Sequence, residues 1–193
     1  MAKPIITKYN PVELLQSNST YQPLNGFFFD RLKNFEDLIQ YPQKYQNSDT
    51  LVLQFQTEAA ATFDVKLVSD SNSYNLSTSA LTPPISYTGT NLFYKSSLAL
   101  TSVAEGIYYI RVKITTDKIY YFVSEPICVK ATHENTILFK YTHDLNQYDT
   151  LFQTSTTPNY FYLRVEGGVK TSQFEQGSTD EIFIDQNYNS SLS

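Results

Sequence analysis

The sequence predicts an all-β protein, an antiparallel sandwich, and three observations carry that prediction. From residue 51 onward apolar side chains recur at every second position: Leu51, Leu53, Phe55, then Phe63, Val65, Leu67, then Tyr108, Ile110, Val112, Ile114. That is the period of a strand with one buried face. Aromatics are 15% of the 193 residues, with 16 Tyr, 13 Phe and no Trp, and charged residues are 17%. A chain so composed folds, and it lacks the Ala, Glu, Lys and Leu bias of a helical bundle. Turn-forming pieces such as Pro83-Pro84, Thr115–Lys118 and Gly167-Gly168 cut the alternating stretches into short lengths.

Residues 1–50 differ from the rest. Pro4, Pro11, Pro23 and Pro42 interrupt them too often for long elements. Asn10-Pro11-Val12-Glu13-Leu14-Leu15 predicts a capped helical turn. Asp30 to Ile39 predicts a short helix, because Leu32, Phe35, Leu38 and Ile39 fall at three- and four-residue steps. Phe27-Phe28-Phe29 is an apolar triplet that needs cover. The region reads either as an arm with short helices or as a supplier of strands to the core.

Residues 51–130 hold five or six strands and form the sandwich. Val52, Gln54 and Gln56 read as the solvent face of the first strand, and Ser69–Ser79 as a loop or weak edge. Residues 107–123 read as a hairpin around Thr115–Lys118. Residues 131–193 add strand candidates at Thr136–Tyr141, Tyr160–Val165 and Ile182–Ile184, with a polar tail at Asn187–Ser193. Three strands cannot close a sandwich alone. They are expected to pack on the sandwich, the arm or a neighbouring subunit.

Two resemblances follow from particular segments. Leu100 to Val112, with Gly106 and Tyr108, followed by Lys118 to Val129 with Pro126, resembles the last two strands of an immunoglobulin or fibronectin type III-like domain. The segments Tyr41–Phe55, Tyr121–Ile127, Asn135–Tyr141, Leu163–Gly168 and Phe183–Gln186 resemble uncharacterised proteins of phages and prophages of Bacteroidetes bacteria. The second resemblance implies a structural virion protein of the tail or baseplate type. Its partners would be other copies of itself and other virion proteins, and it implies no active-site residues.

The remaining numbers exclude function classes. The net charge is −5 with no Lys/Arg cluster, so no nucleic acid partner is expected. Apolar runs such as Ile119–Val123 are too short for a membrane helix. No apolar stretch follows the N-terminal Lys3, so the chain is expected to be made in the host cytoplasm, and the phage resemblance implies residence in the virion. Cys128 is the single cysteine, which excludes an internal disulfide.

No catalytic pattern stands out. His133 and His143 lack the spacing of a zinc-protease helix, and Asp144 to Asp149 lacks the calcium-loop pattern. Cys128 reads as a buried small hydrophobe. Glu166, Asp180, Glu181 and Asp185 are acidic without forming a recognisable pair, and Arg164 and Glu166, two residues apart on one strand face, read as supporting one another or pairing across strands. The chain is therefore expected to be no enzyme and to need no cofactor or metal. The candidate assembly-interface residues are Phe27, Phe28, Phe29, Tyr109, Tyr120 and Phe122, the last three placed on faces opposite the core. The alternative reading is a carbohydrate-binding or adhesion module that stacks exposed tyrosines on a cell-surface glycan. Deleting residues 1–29 is expected to leave a soluble fold and abolish assembly.

Overall fold

Alternating side chains build two sheets over one shared core. The computed structural model describes residues 4–24, 42–146, 149–167, 180–185 and 188–192. The first sheet has the order β1 (Ile5–Ile6), β4 (Thr50–Thr57), β8 (Leu92–Ala99), β7 (Ser77–Leu81), with antiparallel neighbours throughout. The second is centred on β9 (Gly106–Thr115). One edge of β9 pairs with β5 (Thr62–Val68), beyond which lies β6 (Ser73–Asn75). The other edge pairs with β10 (Ile119–Ser124) and then β11 (Ile127–Lys130). The sheet continues through β2 (Leu14–Ser17) beside β10, and through β3 (Gln43–Gln46), β13 (Phe161–Glu166) and β12 (Thr136–Tyr141) on the β11 side. A separate hairpin joins β14 (Asp180–Asp185) to β15 (Tyr188–Leu192). Among the described residues the helical structure is a single turn, Leu100–Ser102.

The core is the inner face of both sheets. Leu51, Leu53 and Phe55 of β4 meet Val65 and Leu67 of β5 and Tyr108, Ile110, Val112 and Ile114 of β9, all buried. Burying such side chains contributes about 1.5–3 kcal/mol each, before conformational entropy is set against it. At Glu125-Pro126 the strand breaks, since Pro cannot donate to the ladder. There the pairing shifts by one, from Val123↔Arg111 to Ile127↔Tyr108. The Ser124 hydroxyl fills the gap. It accepts from the Ile110 N–H at 2.8 Å and donates to the Glu125 carbonyl at 2.6 Å.

Several sequence expectations change. Asn10 caps no helical turn. Its side-chain amide lies against the backbone of Gln54, donating from Nδ2 to the carbonyl (3.1 Å) and accepting the N–H (2.8 Å). The chain then enters β2, which pairs with β10 through Leu14↔Ser124. Val12 and Leu14 are in the core. The N-terminal residues thus supply strands, one alternative the sequence left open. Deleting residues 1–29 would remove a strand from each sheet, so such a deletion no longer isolates assembly from folding. The predicted helix Asp30–Ile39 and the triplet Phe27–Phe29 lie outside the described residues.

Ser69–Ser79 contains β6 and the start of β7, and Asn187–Ser193 contains β15 rather than a free tail. The supposed solvent face of β4 is covered: Val52, Gln54 and Gln56 are as buried as the core face.

Candidate functional site

What covers β4 is a second layer, built by the residues around β12 and β13. Its apolar part is small and aromatic. Val52, Phe152 and Phe161 are buried together, with Tyr9, Tyr141 and Tyr162 packed against them. Phe152 meets Tyr9 and Phe161 edge-on, with centroids 5.2 and 5.8 Å apart. Tyr141 stacks on Phe161 at 5.5 Å.

Directional bonds close this seam. The Gln54 side chain, fully buried, donates to the Leu151 carbonyl (3.0 Å) and accepts the Leu151 N–H (2.6 Å). It is an added rung of ladder made by a side chain. Tyr141 donates its hydroxyl to the Tyr9 carbonyl at 2.6 Å, and the Thr7 and Thr150 hydroxyls hydrogen-bond to each other. Burial pushes the Tyr141 phenol up to about 12.

At the other end of the seam Arg164 grips Asp49. Nε donates to Oδ2 at 2.7 Å and a terminal nitrogen to Oδ1 at 2.6 Å, while its second terminal nitrogen donates to the Thr136 hydroxyl at 3.0 Å. Asp49 also accepts the Gln46 N–H at 2.7 Å. Both side chains are more than nine-tenths buried. This is a bidentate pair with a further hydrogen bond on each partner, the arrangement in which a buried ion pair is tolerated. Lys44 pairs with Glu166 beside it, at the more exposed rim.

The sequence-predicted residues fall as follows. Tyr109 lies on the outer face of β9, half-buried, opposite Val68 and near the exposed Ile107. Tyr120 and Phe122 do not share that face. Register pairs them with Ile114 and Val112, so both point into the core, and Phe122 is 5% exposed. The physical reason is parity. Thr115 opposes Ile119 across a three-residue loop, which keeps even-numbered residues of both strands on one side. Every tyrosine whose side chain is described is half-buried or buried.

The chemistry candidates stay apart. The ring of His133, buried, lies 3.2 Å from the Cys128 carbonyl, and His143, exposed, accepts the Leu145 N–H at 2.9 Å. Among the described residues no three His, Cys, Asp or Glu side chains are grouped to hold a metal ion. Burial raises the Cys128 thiol, with nearby Lys130 and Lys44 only opposing that shift, which is the reverse of an activated nucleophile.

Sequence reasoning missed Gln54, Thr7, Thr150 and Asp49. A Gln on an alternating strand normally marks solvent, and only the second layer reverses that meaning. It also passed over β8, where Tyr94, Ser96 and Leu98 face the core and Phe93, Lys95 and Ser97 the other side, so neither face is cleanly apolar.

No protein-family model and no curated protein matches the chain. Among solved structures it is similar to a chain from the structural analysis of a family 123 glycoside hydrolase from Clostridium perfringens, concerned with glycolipid glycan hydrolysis. The identity is 11%, the TM-score 0.35, and the match covers 61% of this chain. The chain thus spans about a quarter of that one, 27% of its length, and a likeness this distant assigns no activity.

Proposed function

We propose that the chain is a non-enzymatic structural component of a bacteriophage virion, in the tail or baseplate, assembling with copies of itself and other virion proteins. The observation that carries the structural half is where the buried polar groups go. Asp49, Arg164, Gln54, Thr7 and Thr150 all spend their hydrogen bonds joining one layer to another. The phage half rests on the resemblance of the segments between Tyr41 and Gln186.

The sandwich is read as immunoglobulin- or fibronectin III-like on two supports. The orders β1-β4-β8-β7 and β6-β5-β9-β10 follow the ABED and C′CFG pattern of those domains. Tyr108, near the start of β9, donates its hydroxyl to the Ala104 carbonyl four residues upstream at 2.8 Å, as a tyrosine corner does. The edge strand β12 adds an assembly feature. It is a run of six residues without Gly or Pro, carrying the exposed Leu138 and Phe139, and such an edge accepts a neighbour's strand.

The test is to purify particles from a host that produces the phage and identify their proteins by mass spectrometry. The chain is expected in stoichiometric amounts, lost from the particle fraction when Phe139 is replaced by Lys. Full particles that lack the chain, while it accumulates in the soluble fraction, would overturn the reading.

A further inference from the structure

A second feature lies at the opposite end of the seam, where the residues after Phe152 lean on the β7–β8 edge. A pocket of about 260 Å³ opens there, lined among others by Thr82, Lys95, Ser155, Thr156, Thr157 and Asn159. Its walls are held in place. The Thr154 hydroxyl accepts the Thr157 N–H at 3.0 Å and donates to the Thr157 carbonyl at 2.6 Å, which closes a tight turn. The Ser155 N–H donates to the Thr82 carbonyl at 3.0 Å and ties that turn to the end of β7.

The lining contains one cation and no carboxylate. Lys95 has no ion-pair or hydrogen-bond partner among the described residues, and burial lowers its ammonium below the ordinary lysine value. Asn159 is 3% exposed and its Nδ2 has no acceptor. The hydroxyls of Thr82, Ser155, Thr156 and Thr157 make no bond to a described residue. An unpaired, partly desolvated cation costs free energy, and so does a buried amide without a partner. The unpaired lysine stands in a pocket wall that otherwise offers hydroxyls, while the Asn159 Nδ2 is itself closed to solvent.

We propose that this pocket binds a single acidic sugar unit, its carboxylate on Lys95 and its ring hydroxyls on the Ser/Thr side chains. The volume is below the roughly 300–1,000 Å³ of sites for drug-sized ligands, so one small, highly hydroxylated ring is the fitting class. A ring with an anionic group uses both halves of the lining, whereas a bare anion uses only the lysine and a neutral sugar only the hydroxyls. The site is independent of the aromatic platform considered from the sequence, and a scaffold that carried it would also hold an acidic glycan.

The experiment is an amide NMR titration of the full chain with glucuronate, glucose and inorganic phosphate in parallel. Saturable shifts confined to residues 80–82 and 154–159 are expected with glucuronate, with glucose and phosphate each weaker by about tenfold or more. Lys95→Met should abolish them, with an otherwise unchanged spectrum. Thr156→Val, at an exposed position, should weaken them and serves as the test if K95M does not fold. Absence of saturable shifts overturns the proposal, as does phosphate or glucose binding as well as glucuronate. Undiminished binding in K95M, or in T156V where that is the test, overturns it too.

Discussion

The two buried regions of this molecule are held by different physics. The sandwich core is mostly aliphatic, and its geometry is set by ladder register, with Leu51, Leu53, Ile110, Val112 and Ile114 filling the space between sheets. The seam under the second layer has a small apolar cluster, Val52, Phe152 and Phe161, and takes its geometry from paired polar groups. Apolar burial is non-directional and forgives volume-conserving swaps. A buried hydrogen-bonded pair forgives almost nothing, because removing one member strands the other. The seam should therefore be far more sensitive per residue, although it buries less.

The sharpest way to break that contrast is at Asp49. Asp49→Ala leaves the Arg164 guanidinium buried without its anion, which is expected to cost about 3–5 kcal/mol. Leu53→Met, a swap in the core, is expected to cost less than about 1.5 kcal/mol. Urea unfolding of both variants measures this directly. The double change Asp49→Leu with Arg164→Met should recover most of the loss, since it removes both charges together. A cost below about 1 kcal/mol for D49A would show that water reaches the pair and that the seam is not dry.

Gln54 is the next target. Gln54→Leu keeps approximate volume but strands the Leu151 N–H and carbonyl, at about 2 kcal/mol or more. Hydrogen exchange should then accelerate at residues 150–161 while β9 keeps its protection, because the seam opens without the core. Equal acceleration in β9 would mean the two regions unfold as one unit.

How much of this was legible follows from the same contrast. β4, β5 and β9 could be read because their core faces repeat at period two, β10 because a tight turn joins it to β9, and β12 and β13 only as short apolar stretches between loops. β8 could not, because covering both faces of a strand erases the alternation that marks it. Phe122 was assigned to the wrong face through a parity slip that the three-residue loop resolves. The seam was hidden because Gln54, Thr7 and Thr150 are ordinary surface residue types until a partner more than ninety residues away covers them. The high aromatic content was legible, but its destination was not. Aromatics beyond one sandwich's need include Tyr9, Tyr141, Phe152 and Phe161, which this same chain buries in its seam.

Alkaline pH should loosen the seam before it affects an aliphatic core. Tyr141 has an ordinary phenol value near ~10 when unfolded and is pushed up to about 12 by burial. The folded state therefore favours the neutral form. The stability from this group is complete below about pH 10 and is lost as pH rises through about 12. Tyr45, whose phenol burial also raises, adds to the same trend. Urea midpoints at about pH 9 and about pH 11.5 should diverge less in Tyr141→Phe than in the unmodified chain. An identical drop in both would assign the alkaline loss to other groups.

The smallest expected effect has the opposite sign. Tyr45 on β3 is fully buried, and its hydroxyl has no hydrogen-bond partner although it sits at the junction of core and seam. A buried hydroxyl left unpaired is a cost the fold carries, so Tyr45→Phe should be neutral or stabilise by up to about 1 kcal/mol, against the usual direction of core substitutions. The same change at Tyr108, whose hydroxyl donates to the Ala104 carbonyl, should destabilise by about 1 kcal/mol. Two Tyr→Phe changes with opposite signs, read by thermal or urea unfolding, would separate packing from hydrogen bonding at positions of equal burial. If Y45F also destabilises, a bridging water satisfies that hydroxyl, and the junction between the two regions is wetter than the seam beside it.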